Sequence, residues 1–469
     1  MKSLLTPTPP KAPTSRLAPL ALLLVGLAGC AAQPLPKPEL ATPAAWRHAA
    51  PAPDATIPLQ TWWKGFQDAA LDQLVARALR ENLDLAQAVE RLRAARVLRE
   101  HSGARYLPYL RAKTDEVVNP NASASYLVSG FDAVWEFGLF GRREGTARMT
   151  QGELDEAGAT LEAARVSLIG EVVANYLMWA ATRERLLLLQ QSVDAQQQQL
   201  SLLRVRVSLG LAAPLQLAEA SAQLAKSTGA GLQAGQQADA LAQQLALLLG
   251  QAQPDPAWLP GQGLPEHSPA AVVSTPAELL RSRPEIRRAE AQVLLAAGEA
   301  DIARADRLPN LGIGGTVVWS TNIARNRRES DFDISSIGPL VDIPLFDWGL
   351  RKANADAKAH LLKAAVLAYR QAVLRGYAEV EIALGNLEQL RAREAAESES
   401  AAVAQHTVEL VRQRVGLSLA SPLDAQAALA ALAQAQLARV DVATEHALAY
   451  VALFKALGGA PLPSQAEQP

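Results

Sequence analysis

The chain has 469 residues, a net charge of −2 at neutral pH, and 49% apolar residues but only 5% aromatics. No bulk basicity points to nucleic acid. The excess lies in Ala and Leu, alongside Gln, Glu and Arg, which reads as long helices packed through small and aliphatic side chains, closer to coiled coil than to a Phe-rich core.

The one cysteine, Cys30, rules out an intrachain disulfide and a cysteine-based zinc cage. It follows a basic start (Lys2, Lys11, Arg16) and an apolar segment, Leu17 to Gly29, too short to span comfortably as a permanent helix. The segment ends in LAGC, which resembles the lipobox of bacterial lipoproteins. That resemblance implies a signal peptide over 1–29 and an acylated Cys30; the alternative is a plain signal with an incidental cysteine. Ala31 and Ala32 follow rather than Asp, so the expected destination is the outer membrane, where lipid chains add anchoring. Residues 30–60 form a Pro- and Ala-rich tether.

From Leu71 to Glu100, apolar residues recur at helical spacing. The period then switches to two. Leu110, Ala112 and Thr114 alternate with Arg111, Lys113 and Asp115, and, beyond a Pro-Asn turn, Leu127, Phe131, Ala133 and Trp135 alternate with Asp132, Val134 and Glu136. This predicts a β-hairpin over about 106–137. It suits either a strand pair between lipid and a wet lumen or the edge of a soluble sheet.

A stretch without proline then runs to Pro214, about 65 residues of helix or on the order of 100 Å, too polar to cross a bilayer and in need of partners along its length. It reverses at RVSLGLAAPLQL, Arg206 to Leu217, and returns as helix to about Leu249. After a Pro/Gly-rich bridge near 251–275 the plan repeats. RSRPEIRRAEAQVLLAAG echoes the segment from Arg80, DRLPNLGIGG echoes RYLPYLRAKT, and VDIPLFDWGLRKA echoes WEFGLFGRREG. A second hairpin is expected at about 308–344, and a second long helix reverses at RVGLSLASPLDA, Arg414 to Ala425. The offset between halves grows from 201 at Arg80/Arg281 to 208 at Arg206/Arg414, as in a duplicated unit with small insertions. The repeats are expected at 61–250 (tip about 206–216) and 276–458 (tip about 414–424), followed by a tail at 459–469. At the reversals, Gly210 and Gly416 are read as relaxing the backbone, Pro214 and Pro422 as opening the return helices, and Ser421 with Asp424 as a capping box.

Together, and in this order, TWWKGFQDAALDQLVARALRENLDLAQA, WEFGLFGRRE, the two tip phrases, IPLFDWGLRKA and VALFKALGG resemble the TolC family of outer-membrane channel proteins, in its lipoprotein branch typified by OprM, over essentially the whole mature chain. The resemblance implies a mainly α fold with a β part: a trimeric α-helical barrel plus a twelve-stranded outer-membrane β-barrel, four strands per subunit. It also implies a homotrimer working with a periplasmic adaptor protein and an inner-membrane pump of the resistance-nodulation-division type, as the exit duct for drugs or other small toxic molecules. The alternative within the family is the exit duct of a type I, ABC-driven protein secretion system, against which LAGC counts. A lipid-tethered periplasmic coiled-coil scaffold is the reading outside it.

The resemblance aligns Asp424 with an acidic constriction at the periplasmic entrance, with Gln216 at the matching place in the first tip; helix capping is the other role open to Asp424. The second acid of the family's constriction is Ala427 here. Leu209, Leu211, Leu417 and Leu419, with Arg206 and Arg414, are candidate adaptor contacts, or alternatively pack between neighbouring tip helices. Arg111, Lys113, Asp115, Asp132 and Glu136 would face the barrel lumen. Six scattered histidines carry no metal spacing, the glycines at 312–315 fall in a predicted strand rather than a phosphate loop, and Glu379 and Glu381 read as solvated helix faces. No catalytic residues, cofactor or metal are expected.

Overall fold

The computed structural model describes residues 43, 45–48, 59–117, 126–255, 258, 263–265, 283–322 and 332–459. The signal segment, Cys30, most of the tether and the bridge, the two hairpin loops and the tail beyond residue 459 lie outside the described residues. The elements run α1 (Ala69–Glu81), α2 (Leu83–Glu100), β1 (Tyr109–Val117), β2 (Tyr126–Glu136), α3 (Arg142–Ser208), α4 (Pro214–Leu248), α5 (Pro284–Ala305), β3 (Asn310–Asn322), β4 (Phe332–Asp342), α6 (Leu350–Gly416) and α7 (Pro422–Ala456). The duplication is visible in the lengths: α3 and α6 each have 67 residues, and α4 and α7 each have 35.

The helical spacing from Leu71 to Glu100 is carried by two helices that meet at Asn82. Asn82 ends α1 with extended backbone. Its side-chain oxygen accepts the Leu85 N–H at 2.8 Å, and its amide donates to the Leu248 carbonyl at 2.9 Å. The break therefore satisfies helix-end groups that an unbroken periodicity would hide.

Two compact units can be separated. The unit made from residues 95–154 and 290–368 carries one sheet of order β1-β2-β3-β4, antiparallel throughout. Here the first turns of α3 lie unusually close to α5. A Cβ on Gly298 would stand 2.4 Å from the Met149 backbone N, and one on Gly152 would stand 2.6 Å from that of Leu295, so glycine is what lets the two backbones meet. Arg148 of α3 reaches Asp301 of α5 at 2.7 Å, with Asp301 buried.

In the other unit, Trp62 and Phe66 from a 3-10 turn (Leu59–Phe66) pack with Tyr450 and Phe454 of α7. Trp62 stacks on Phe454 at 5.2 Å, and its indole N–H donates to the Gly459 carbonyl at 3.2 Å. Asp68 caps α1, accepting from Ala70 and Leu71, and takes the Tyr176 hydroxyl at 2.6 Å. These contacts explain the run TWWKGFQD. Within the same unit, Trp258 from the bridge lies under Arg77 at 5.0 Å, and Leu264 packs on Ala181, Leu188 and Val440.

Glu379 and Glu381, read above as solvated, both have partners. Arg283 pairs with Glu379. Glu381 accepts the Arg47 N–H at 2.6 Å and the Tyr377 hydroxyl at 2.8 Å, while Trp46 stacks on Tyr377 at 5.3 Å.

Candidate functional site: the helical tips and the polar sheet face

Both long helices end in the same backbone device. In the first tip, the Leu211 N–H donates to the Arg206 carbonyl at 2.8 Å and the Gly210 N–H to the Val207 carbonyl at 3.0 Å. In the second, Leu419 donates to Arg414 at 2.8 Å and Ser418 to Val415 at 3.0 Å. These paired bonds are a Schellman motif, which requires a left-handed residue at its centre. Gly210 fills that place at φ +72°, but in the second tip the residue is Ser418 at φ +57°. The reading that Gly416 relaxes the second turn is therefore corrected: Gly416 is the last residue of α6. The two phrases carry their Gly and Ser in exchanged positions (Ser208 and Gly210 against Gly416 and Ser418), and the hydrogen-bond pattern picks out the second of each pair.

Proline follows at the first position of each return helix. Here the tips diverge again. Ala213 offers α4 no side-chain cap, and Gln216 contributes only its backbone N–H, to Ala213 O at 3.0 Å. Ser421 and Asp424 form a full capping box on α7. The Asp424 N–H donates to Ser421 Oγ at 3.3 Å, and the Asp424 carboxylate accepts the Ser421 N–H at 2.8 Å and its hydroxyl at 2.9 Å. The Ser421 backbone N–H, then its hydroxyl, and beyond them the Arg414 and Arg206 charges hold the Asp424 carboxyl below the usual carboxylate range. Arg206 belongs to the first tip, so charge from both tips acts at Asp424. Gln426 of α7 also meets Gln198 of α3 at 2.9 Å.

Leu209, Leu211, Leu417 and Leu419 all remain exposed. Arg414 bends back to the Leu419 carbonyl at 3.4 Å. Among the described residues, four exposed apolar side chains thus stand around two turns fixed by backbone bonds.

On the sheet, the register puts Arg111 opposite Asp132 and Asp132 opposite Thr316. The three side chains meet: Arg111 and Lys113 each approach one Asp132 oxygen at 3.4 Å, and the Thr316 hydroxyl donates to the other at 2.7 Å. Glu136 shares that face, opposite Gly312. Asp115 pairs with Val128 in the register, but its side chain lies outside the description. The other face presents Leu110, Leu127, Phe131, Trp135, Ile313, Val317, Trp319 and Ile337, all exposed. Thr316 escapes sequence reading because its role depends on how β2 pairs with β3, which no local period reveals. Among the described residues no cluster could hold a metal ion, and no helix is long and apolar enough to cross a membrane.

A small antiparallel sheet with one charged and one apolar face, attached to long paired helices in a duplicated chain, is the architecture of the TolC-like outer-membrane channels, which combine a helical barrel with a β-barrel. The chain belongs to the outer membrane efflux protein family, which it matches over residues 74–251 and 275–459, one stretch in each half. It is 27% identical over 462 residues to the pyoverdine export outer membrane protein OpmQ of Pseudomonas aeruginosa, covering 94% of this chain and 95% of that protein. The solved outer-membrane channel OprN is 26% identical with a TM-score of 0.75, covering 92% of this chain and all of that one. The open MtrE channel of Neisseria gonorrhoeae shares the fold at a TM-score of 0.78 and 24% identity, over 92% of this chain and 98% of that one. The protein is thus an outer-membrane efflux channel reaching into the periplasm, and a transport protein rather than an enzyme.

Proposed function

We propose that three copies of this chain form the exit duct of a tripartite efflux pump that expels drugs or other small toxic molecules. The observation that carries this reading is the sheet. Among the described residues, the outer edges of β1 and β4 pair with no further strand, and the exposed apolar face is opposite a charged one. Open edges are a liability that closure removes, and a four-stranded sheet in three copies closes at twelve strands, an even number in the known range. Arg111, Lys113, Asp115, Asp132 and Glu136 then line the lumen, and the apolar face meets lipid. Acylated Cys30 tethers each copy. Small-molecule cargo is supported by the likeness to a relative named for pyoverdine export.

In this reading the two tips of each copy make a pseudo-sixfold ring at the periplasmic entrance. The exposed leucines with Arg206 and Arg414 receive the hairpins of a periplasmic adaptor, itself bound to a proton-driven inner-membrane pump. Asp424 from three copies lines the closed entrance and favours cations, with Gln216 as its neutral counterpart. The test is photo-cross-linking in living cells from a probe at Leu419, followed by mass spectrometry. Capture of an adaptor encoded with a proton-driven pump is the expected result. Capture of an adaptor for ATP-driven protein secretion, or of no periplasmic adaptor while assembled trimers are present, overturns the assignment.

A further inference from the structure

The two hairpins of the sheet are copies of one unit, yet their polar faces differ in charge. The face that carries Asp132 also holds Arg111, Lys113, Asp115 and Glu136 on β1 and β2. The register continues this face across β3 at the even-numbered positions from 310 to 322, none of which is charged. On β4 it meets the even-numbered positions from 332 to 342, where Asp342, the last residue of the strand, is the one charge. The charges of this face are therefore gathered on the first hairpin.

Asp132 stands at the border between the hairpins, on an inner strand, and is shared three ways. Arg111 and Lys113 both reach its Oδ2, each at 3.4 Å. Thr316, from the uncharged side, donates its hydroxyl to Oδ1 at 2.7 Å. A close charge-assisted N–H···O bond spans about 2.7–2.9 Å, so the neutral donor makes the tight contact and the two cations make the loose ones. A carboxylate with both oxygens available can give one to each of two cations. Here Thr316 occupies Oδ1, and Arg111 and Lys113 are left to share Oδ2. The hydroxyl thus competes with the cations for the acid and keeps their pairing loose.

We propose that Asp132 and Thr316 set the charge selectivity of this stretch of the duct: Asp132 masks Arg111 and Lys113, Thr316 limits that masking, and the row attracts small anions and the anionic groups of cargo. This rests on the reading that the sheet closes a lumen. Arg111 is the group that meets the anion, since its planar fork of N–H donors suits anionic oxygens. Asp132 and Thr316 act through it and are positioning residues. A lumen walled by a low-dielectric barrel raises the reach of such charges. The preference is opposite in sign to the one proposed for Asp424. Closure would bring β4 of the next copy alongside β1, so Asp342 is the competing acid on this face, and the test includes it.

The test measures the local potential with a thiol. Val134 lies on the same face, one row along β2 from Asp132, at roughly 7 Å. Full-chain trimers carrying Val134→Cys are placed in phosphatidylethanolamine vesicles. Their reaction rates with anionic sulfonatoethyl and cationic trimethylammonioethyl methanethiosulfonates are compared, and the native chain, whose one cysteine is Cys30, gives the background. Adding Asp132→Asn is expected to raise the anion-to-cation rate ratio about fivefold, and Arg111→Gln to lower it by a comparable factor. Thr316→Val is expected to lower it about twofold, because Oδ1 becomes available to a cation and the masking tightens, while Thr316→Ser keeps the native ratio. An unchanged ratio in both Asp132→Asn and Arg111→Gln overturns the selectivity role. If Asp132→Asn does not assemble, an unchanged ratio in Arg111→Gln alone does so. A ratio that rises or stays constant in Thr316→Val, or that falls equally in Thr316→Ser, overturns the role of the hydroxyl. A shift in Asp342→Asn as large as that in Asp132→Asn overturns the assignment in favour of the next copy's acid. Heat-modifiable trimers whose thiol reacts with neither reagent are a separate result, which overturns the reading of this face as a lumen.

Discussion

The two tips are written in nearly the same fifteen residues, Arg206 to Ala220 and Arg414 to Ala428, and they close the same backbone motif, yet they divide the work differently. The first places glycine where the left-handed turn needs it and leaves its return helix uncapped. The second forces Ser418 into that conformation and adds the Ser421–Asp424 capping box. A relaxed turn with a bare helix start is thus set against a strained turn with a clamped one. Duplication conserved the geometry while the chemistry separated, and the carboxylate that serves the clamp is also the charge placed at the proposed entrance.

This contrast can be broken first at Gly210. Gly210→Ala puts a Cβ on a left-handed backbone and is expected to destabilise the first tip by about 1–2 kcal/mol, read as faster amide exchange confined to residues near 205–216. Removing the clamp comes next. Ser421→Ala is expected to cost the second tip about 1 kcal/mol, while the matching Ala213→Ser with Gln216→Asp builds a box on the first tip and slows exchange there by a comparable factor. Ser418→Gly relieves the strained turn but adds unfolded-state freedom, so a net gain of only about 0.5 kcal/mol is expected. Equal responses of the two tips to Gly-for-Ser exchange would erase the distinction.

The smallest effect is that of pH. Because the folded Asp424 carboxyl sits below its ordinary range, its contribution is fully present above the unfolded carboxylate value and is lost as pH falls through the folded one. Acidification is therefore expected to loosen the second tip selectively, since Gln216 gives the first tip no carboxylate at this position. Amide exchange corrected for intrinsic rates checks this.

Much of the design was legible where a period or a punctuation mark carries it. The two faces of β1 and β2 followed from strict alternation, the long helices from the absence of proline, and the reversals from Pro214 and Pro422. The break at Asn82 was half legible: its cap on the Leu85 N–H is local, whereas its bond to the Leu248 carbonyl joins residues distant in sequence. The exchange of roles between Gly416 and Ser418 was hidden for a different reason: each phrase holds one Gly and one Ser two residues apart, and only the hydrogen bonds reveal which one turns left-handed. The Asp132 cluster was half legible. Its Arg111 and Lys113 members are local, whereas Thr316 arrives through the β2–β3 register.

The central claim is that the second tip carries the charge of a closed channel entrance, and the most direct measurement is conductance of purified trimers in planar bilayers. The account predicts that Asp424→Asn lowers the resting cation conductance and weakens cation preference, while Gln216→Asn leaves both unchanged. Unaltered conductance and selectivity in Asp424→Asn trimers, together with faster amide exchange at the second tip, would contradict it and leave Asp424 as a helix cap alone.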